Sequence, residues 1–271
     1  MTHKRSQGQL HRLTSALQTL NIRWARRALS LWQGLPPDGS PEQIYAGFEA
    51  VLTPETIAGV AGTRDDPTRA RIRHGLIDHY LQRKLMPHET EMHAWGRGAA
   101  AHVDGEKIYF TEVIPWCQKS STLLKRQRLQ QETGPLCKLL KPFAVNYWNI
   151  LLETLTDALG FDGYIDYCGQ KKGIDYPGLY REMKTLIART DDSYFAAMEA
   201  WSRRRFKRPL KDLSRFDAIY LLSLGQWDRL CPVDNPDITL SFFSRWGLDP
   251  AHHPGLFLKI QPAAGKSAQA I

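Results

Sequence analysis

The sequence predicts a mainly α-helical protein: a multi-helix lobe with long antiparallel helices and one small β-hairpin. Three observations predict it. Two extended apolar stripes recur at steps of three and four residues, as amphipathic helices require. Capping signals stand at the ends of those stripes. The helical period breaks clearly once in the interior, over 102–110.

The two stripes lie in 143–206, a central helix pair. Ala144, Trp148, Leu151, Leu152, Leu155 and Leu159 mark a helix over Phe143–Leu159. Gly160 stands where a left-handed residue ends a helix, and Phe161 is placed to fold back on the last turn. Gly163–Gly173 reads as a short connection. Asp175 is an N-cap with Pro177 in the first turn. Leu179, Met183, Leu186, Ile187, Thr190, Tyr194, Met198 and Trp201 then mark a helix over Asp175–Trp201. The two helices are expected to bury their stripes against each other and against helices in 10–32 and 67–86.

The remaining elements follow in chain order. Residues 1–27 are rich in Lys/Arg and hold no acid. Leu10, Leu13, Leu17, Leu20 and Trp24 share one helical face, so this is a first scaffold helix, with 1–9 expected to be disordered. Gly34–Pro41 is a loop. Short helices follow around Ile44–Phe48 and from Thr53-Pro54. Asp66-Pro67 starts a helix carrying Ile72, Leu76, Tyr80 and Leu81, which Pro87 is expected to kink or end. Asp104-Gly105 between β-formers predicts a hairpin over 102–110. A separate helix runs through Leu123, Leu124 and Leu129. Short helices are expected over Leu213–Leu224 and Ile238–Trp246, and a strand and tail over 256–271.

The 271 residues suit a single lobe over 1–271. At 42% hydrophobic with eight Trp the chain is globular. Its net charge of +8 favours anionic partners. Four scattered Cys without a CxxC pair read as reduced thiols of a cytoplasmic protein. No apolar run reaches the roughly 18 residues of a membrane span, and 1–30 lack the core of a signal peptide.

Three passages carry a resemblance. They are Leu159-Gly160-Phe161-Asp162-Gly163-Tyr164 with Cys168 and Lys172-Gly173-Ile174-Asp175; Val103-Asp104-Gly105-Glu106 with Ile108-Tyr109; and Trp246-Gly247-Leu248-Asp249 followed by Gly265-Lys266-Ser267. Their order and spacing resemble the thimet oligopeptidase and oligoendopeptidase F-like zinc metallopeptidases, from about Leu29 to the last residue. The family's H-E-x-x-H motif puts two imidazoles on one helix face to hold zinc, with the Glu as general base. This sequence has nine His and no H-E-x-x-H. In the family the motif lies beyond the Gly-Lys-Ser passage. The resemblance therefore implies the N-terminal, non-catalytic lobe, the substrate-cleft half. Zinc then belongs to the half that is missing, and this chain alone has no cofactor and no peptidase activity. Its partners are a catalytic half carrying H-E-x-x-H, or peptides. Gly265, Lys266 and Ser267 are the implied cleft residues.

The other constellations have plainer readings. His88-Glu89-Thr90-Glu91-Met92-His93 has its imidazoles five residues apart, which turns them about 140° from each other on a regular helix. It is expected to be a solvated polar face. His252-His253 sits in a loop, where adjacent rings point apart. Gly265-Lys266-Ser267 is not a phosphate loop, because Ile260 stands where that motif needs Gly. Arg203, Arg204, Arg205, Lys207 and Arg208 form a basic surface that complements a helix C-terminal dipole. Nucleic acid is not its expected partner, yet it supports alternatives: a helical module binding an anionic partner, or a peptide-binding pseudoenzyme.

Overall fold

The computed structural model describes residues 2–32, 40–60, 66–120, 122–223, 236–248 and 252. Helices dominate it: α1 (Thr2–Trp32), α2 (Pro41–Tyr45), α3 (Pro54–Gly59), α4 (Pro67–Gly98), α5 (Val113–Lys119), α6 (Leu123–Glu153), α7 (Tyr164–Lys172), α8 (Tyr176–Phe206), α9 (Arg215–Leu222) and α10 (Pro236–Arg245). One antiparallel hairpin joins β1 (Ala100–Val103) to β2 (Glu106–Tyr109), with Val103 opposite Glu106. Asp104 and Gly105 both have positive φ, 52° and 84°, as a two-residue hairpin turn requires.

Two apolar cores organise the chain. The first gathers Leu13, Leu17 and Leu20 of α1, Ile44 and Tyr45 of α2, and Ile57 of α3 around Ile72, Leu76, Ile77 and Leu81 of α4. Leu151, Leu155, Phe161 and Tyr167 close it from the far end of α6 and from α7. The second packs Ala101, Val103 and Ile108 of the hairpin with Val113 and Cys117 of α5, Leu129 of α6 and Phe216 of α9. Helix α6 spans both cores, so it fixes one relative to the other.

The caps form where their residue types predict. Asp66 Oδ1 accepts from the Thr68 and Arg69 amides, and Asp175 Oδ1 accepts from the Gly178 amide at 3.0 Å. Gly160 adopts φ 70°, and the Phe161 ring is buried. The Phe161 amide donates to Leu155 O, a reach lengthened by the π turn Thr154–Ala158 that ends α6.

Several expectations are corrected. Pro87 does not end α4, which runs on to Gly98; Leu85 and Met86 just before it are buried, and packing outweighs the lost hydrogen bond. The segment through Leu123 and the one beginning at Phe143 are a single helix despite Pro135 and Pro142. The connection Gly163–Gly173 holds a helix of its own, α7, ended by Gly173 at φ 66°.

The largest correction concerns the central pair. Leu155 and Met198 are buried as expected, but Trp148 is 46% exposed and Leu186 50% exposed. The buried residues of α8 are Met198 and Ser202. Its stripe therefore does not pack on α6; α7 intervenes in sequence and takes the place in the first core that α8 was expected to fill, through Tyr167. The strand and tail expected over 256–271 lie outside the described residues.

Candidate functional site

The most chemically diverse surface lies where α4, α6 and α7 meet. Helices α4 and α6 are in contact, which brings residues fifty-eight apart in sequence together. Tyr147 Oη donates to Glu89 Oε1 at 3.1 Å, and Asn146 Nδ2 lies 3.3 Å from His88 Nδ1. Trp148 stands beside them, edge-on to Tyr147 and to Tyr164, with its ring centroid 5.4 Å from that of Tyr164. Burial beside the Glu89 carboxylate pushes the Tyr147 hydroxyl up to about 12, so it stays a donor. A side-chain hydrogen bond with Cys168, then burial, raises Tyr164 as well.

Chemically, this surface offers two exposed aromatic faces, a side-chain amide and a held carboxylate. Aromatic faces take apolar side chains, and amides pair with peptide groups. Zinc does not fit it. His93 is exposed, His88 is half-buried with Nδ1 turned to Asn146, and among the described residues no group of three His, Cys, Asp or Glu forms a metal site. The pairing of Glu89 with Tyr147 was not readable from the sequence: Glu89 stands in the His88–His93 stretch, but its partner lies fifty-eight residues away, outside any motif. The reading of His88–His93 as a wholly solvated face is corrected at His88 and Glu89, both half-buried against α6.

The basic run sits at the end of α8. Arg203, Arg204, Arg205, Lys207 and Arg208 are all exposed. Arg203 Nε is held by Glu199 at 2.5 Å, and Arg205 donates to Tyr220 Oη. Lys207 takes the left-handed cap position, φ 58°, and Ser202 Oγ donates to Arg208 O. These bonds splay the run around the helix end. Gly265, Lys266, Ser267 and His253 lie outside the described residues.

A cavity of about 280 Å³ opens between α1 and α4, beside Asn21, Trp24, Asp78, His79 and Gln82. Its floor is structural: Asp78 accepts from Tyr167 Oη and from Lys171 Nζ, tying α4 to α7. No described helix is long and apolar enough to cross a membrane. No protein-family model, no curated protein and no solved structure matches the chain.

Proposed function

We propose that the chain is a non-catalytic, peptide-holding lobe of the kind that the zinc oligopeptidase resemblance implies, working with a half that carries H-E-x-x-H. One observation carries the reading: exposed Trp148 and Tyr164 stand edge to face beside the Glu89–Tyr147 and His88–Asn146 pairs. The passage holding Tyr164 and Cys168 is also one of the three that carry the resemblance. In this reading a peptide side chain lies on the aromatic faces while Asn146 meets the peptide backbone. The lobe supplies binding and orientation; the bond-breaking water and its metal come from the other half.

The test is titration of the isolated chain with a mixed pool of short peptides, followed by tryptophan fluorescence and calorimetry. Binding that Trp148→Ala removes, with the fold retained by circular dichroism, is expected. Peptide binding unchanged in Trp148→Ala and in Asn146→Ala withdraws this surface from the reading. Absence of any peptide binding withdraws the peptide-holding role itself. A second reading has its own observation: five exposed Lys/Arg within Arg203–Arg208 favour an anionic partner. Such binding falls steeply with salt, and neutralising Arg203, Arg204 and Arg208 flattens that dependence.

A further inference from the structure

Helix α8 is thirty-one residues long, about 46 Å, and its open face has a regular order. Tyr180, Ile187, Tyr194 and Trp201 recur at intervals of seven, and so do Tyr176, Met183, Thr190 and Ala197 between them. These are the a and d positions of four heptads, the seam of a coiled coil. The a residues are 66%, 56%, 48% and 43% exposed in that order. A helix in water does not hold four large apolar side chains at seam positions without something covering them.

We infer that the seam is covered by α8 of a second copy of this chain, packed antiparallel. Three complementarities identify the occupant. In an antiparallel pair, a positions meet d positions of the other helix. With the two-fold axis between Ile187 and Thr190, Tyr180 faces Ala197, Ile187 faces Thr190, and Met183 faces Tyr194. Tyr176 then faces Trp201. The pairs at Thr190 and Ala197 set a large side chain opposite a smaller one, while Met183–Tyr194 and Tyr176–Trp201 bring thioether and rings together. The flanking row repeats the pattern: Leu179 meets Ala200, and Leu186 meets Ser193. On the other flank Lys184 meets Asp191, one pair on each side of the axis. Neither residue has an ion-pair partner among the described residues.

A parallel pair is worse on every count. It stacks Tyr on Tyr and Trp on Trp in some layers, leaves Ala197 facing Ala197 in another, and offers no Lys184–Asp191 pairing by symmetry. Shifting the antiparallel register by one heptad sets Lys184 against Lys184. The same helix thus encodes its partner, its direction and its register. This inference goes beyond the peptide-holding reading and does not rest on it.

The test uses the full chain in sedimentation equilibrium over a range of concentrations. The native protein is expected to run at twice its 30.9 kDa mass. Ile187→Asp places a charge at the centre of the seam, on a side chain already exposed, and is expected to give a folded monomer. Lys184→Glu sets Glu against Asp191 twice and is expected to weaken the dimer about tenfold. Adding Asp191→Lys to Lys184→Glu restores the opposite-charge pairs and the affinity. A native protein that stays monomeric overturns the inference and leaves the seam to another segment or another protein. So does a dimer that Ile187→Asp leaves intact, because it is made elsewhere. A dimer lost in Lys184→Glu and not recovered in the double variant overturns the antiparallel register.

Discussion

Arg126 and Asp217, ninety-one residues apart, form an ion pair at 2.7 Å in which neither side chain is accessible to solvent. The guanidinium lies between two rings, 4.3 Å from the Tyr220 centroid and 5.1 Å from that of Phe206. Its Nη1 donates to Ser120 O, and the second Asp217 oxygen accepts from the Ser214 amide and hydroxyl. One side chain on α6 therefore holds the end of α5, the end of α8 and the start of α9.

Removing one partner leaves the other charge buried without its counterion. Asp217→Asn or Arg126→Met is expected to cost about 3–5 kcal/mol, read as a lowered urea midpoint. Replacing both with apolar residues, Arg126→Met with Asp217→Leu, is expected to recover much of that loss. Single variants within about 1 kcal/mol of the native protein show that the pair does not hold these ends together.

Burial along α6 separates core from surface within one helix and the turn that ends it. Leu155 is fully buried in the first core, while Leu139 is 59% exposed. Leu155→Ala is expected to cost about 2–5 kcal/mol and Leu139→Ala about 0.5 kcal/mol or less. Chemical denaturation of both variants checks this, and equal losses contradict the placement of the core.

These contrasts show what was legible in the sequence. Caps and turns were, because their signals are local: Asp66, Asp175, Gly160 and Asp104-Gly105 each do what their types allow wherever the chain puts them. The course of the helices through Pro87, Pro135 and Pro142 was not, since distant packing decides whether a lost hydrogen bond breaks a helix. The fate of the α8 stripe was not legible either. Periodicity shows that a face is apolar, but not whether it is covered by the same chain. The Glu89–Tyr147 and Arg126–Asp217 pairs join residues fifty-eight and ninety-one apart, beyond any motif.

Cys117 gives a pH prediction in the alkaline range. It is buried and donates to Phe216 O, and burial pushes its thiol up from the ordinary 9.0 to about 11. A group whose folded pKa is raised contributes stability below its unfolded value and loses it as pH rises through the folded value. Stability is expected to decline between about pH 9 and 11, less so in Cys117→Val. A colorimetric thiol reagent at pH 8 should modify exposed Cys137 quickly and Cys117 only after unfolding. Rapid modification of Cys117 in the folded protein contradicts this.

His79 gives the acid-side counterpart. Its Nε2 lies 3.0 Å from Asn21 Oδ1, so in the neutral ring that nitrogen carries the proton and donates it. Nδ1 is buried without a hydrogen-bond partner, against the Tyr45 ring. Protonating Nδ1 places a charge and a donor in a site with no acceptor. Burial therefore lowers the His79 pKa, opposed by the Asp78 carboxylate. His74 is lowered for the same first reason, aided by Arg73. A group whose folded pKa is depressed contributes stability above its unfolded value, here 6.5, and loses it as pH falls. The native protein is thus expected to lose stability as pH falls below 6.5, starting above the range where most carboxylates titrate. His79→Gln can still donate to Asn21 but cannot take up the proton, so its stability should change less over the same interval. Urea denaturation of both proteins at several pH values measures the difference. Parallel pH profiles show that His79 is not the group that charges on acidification.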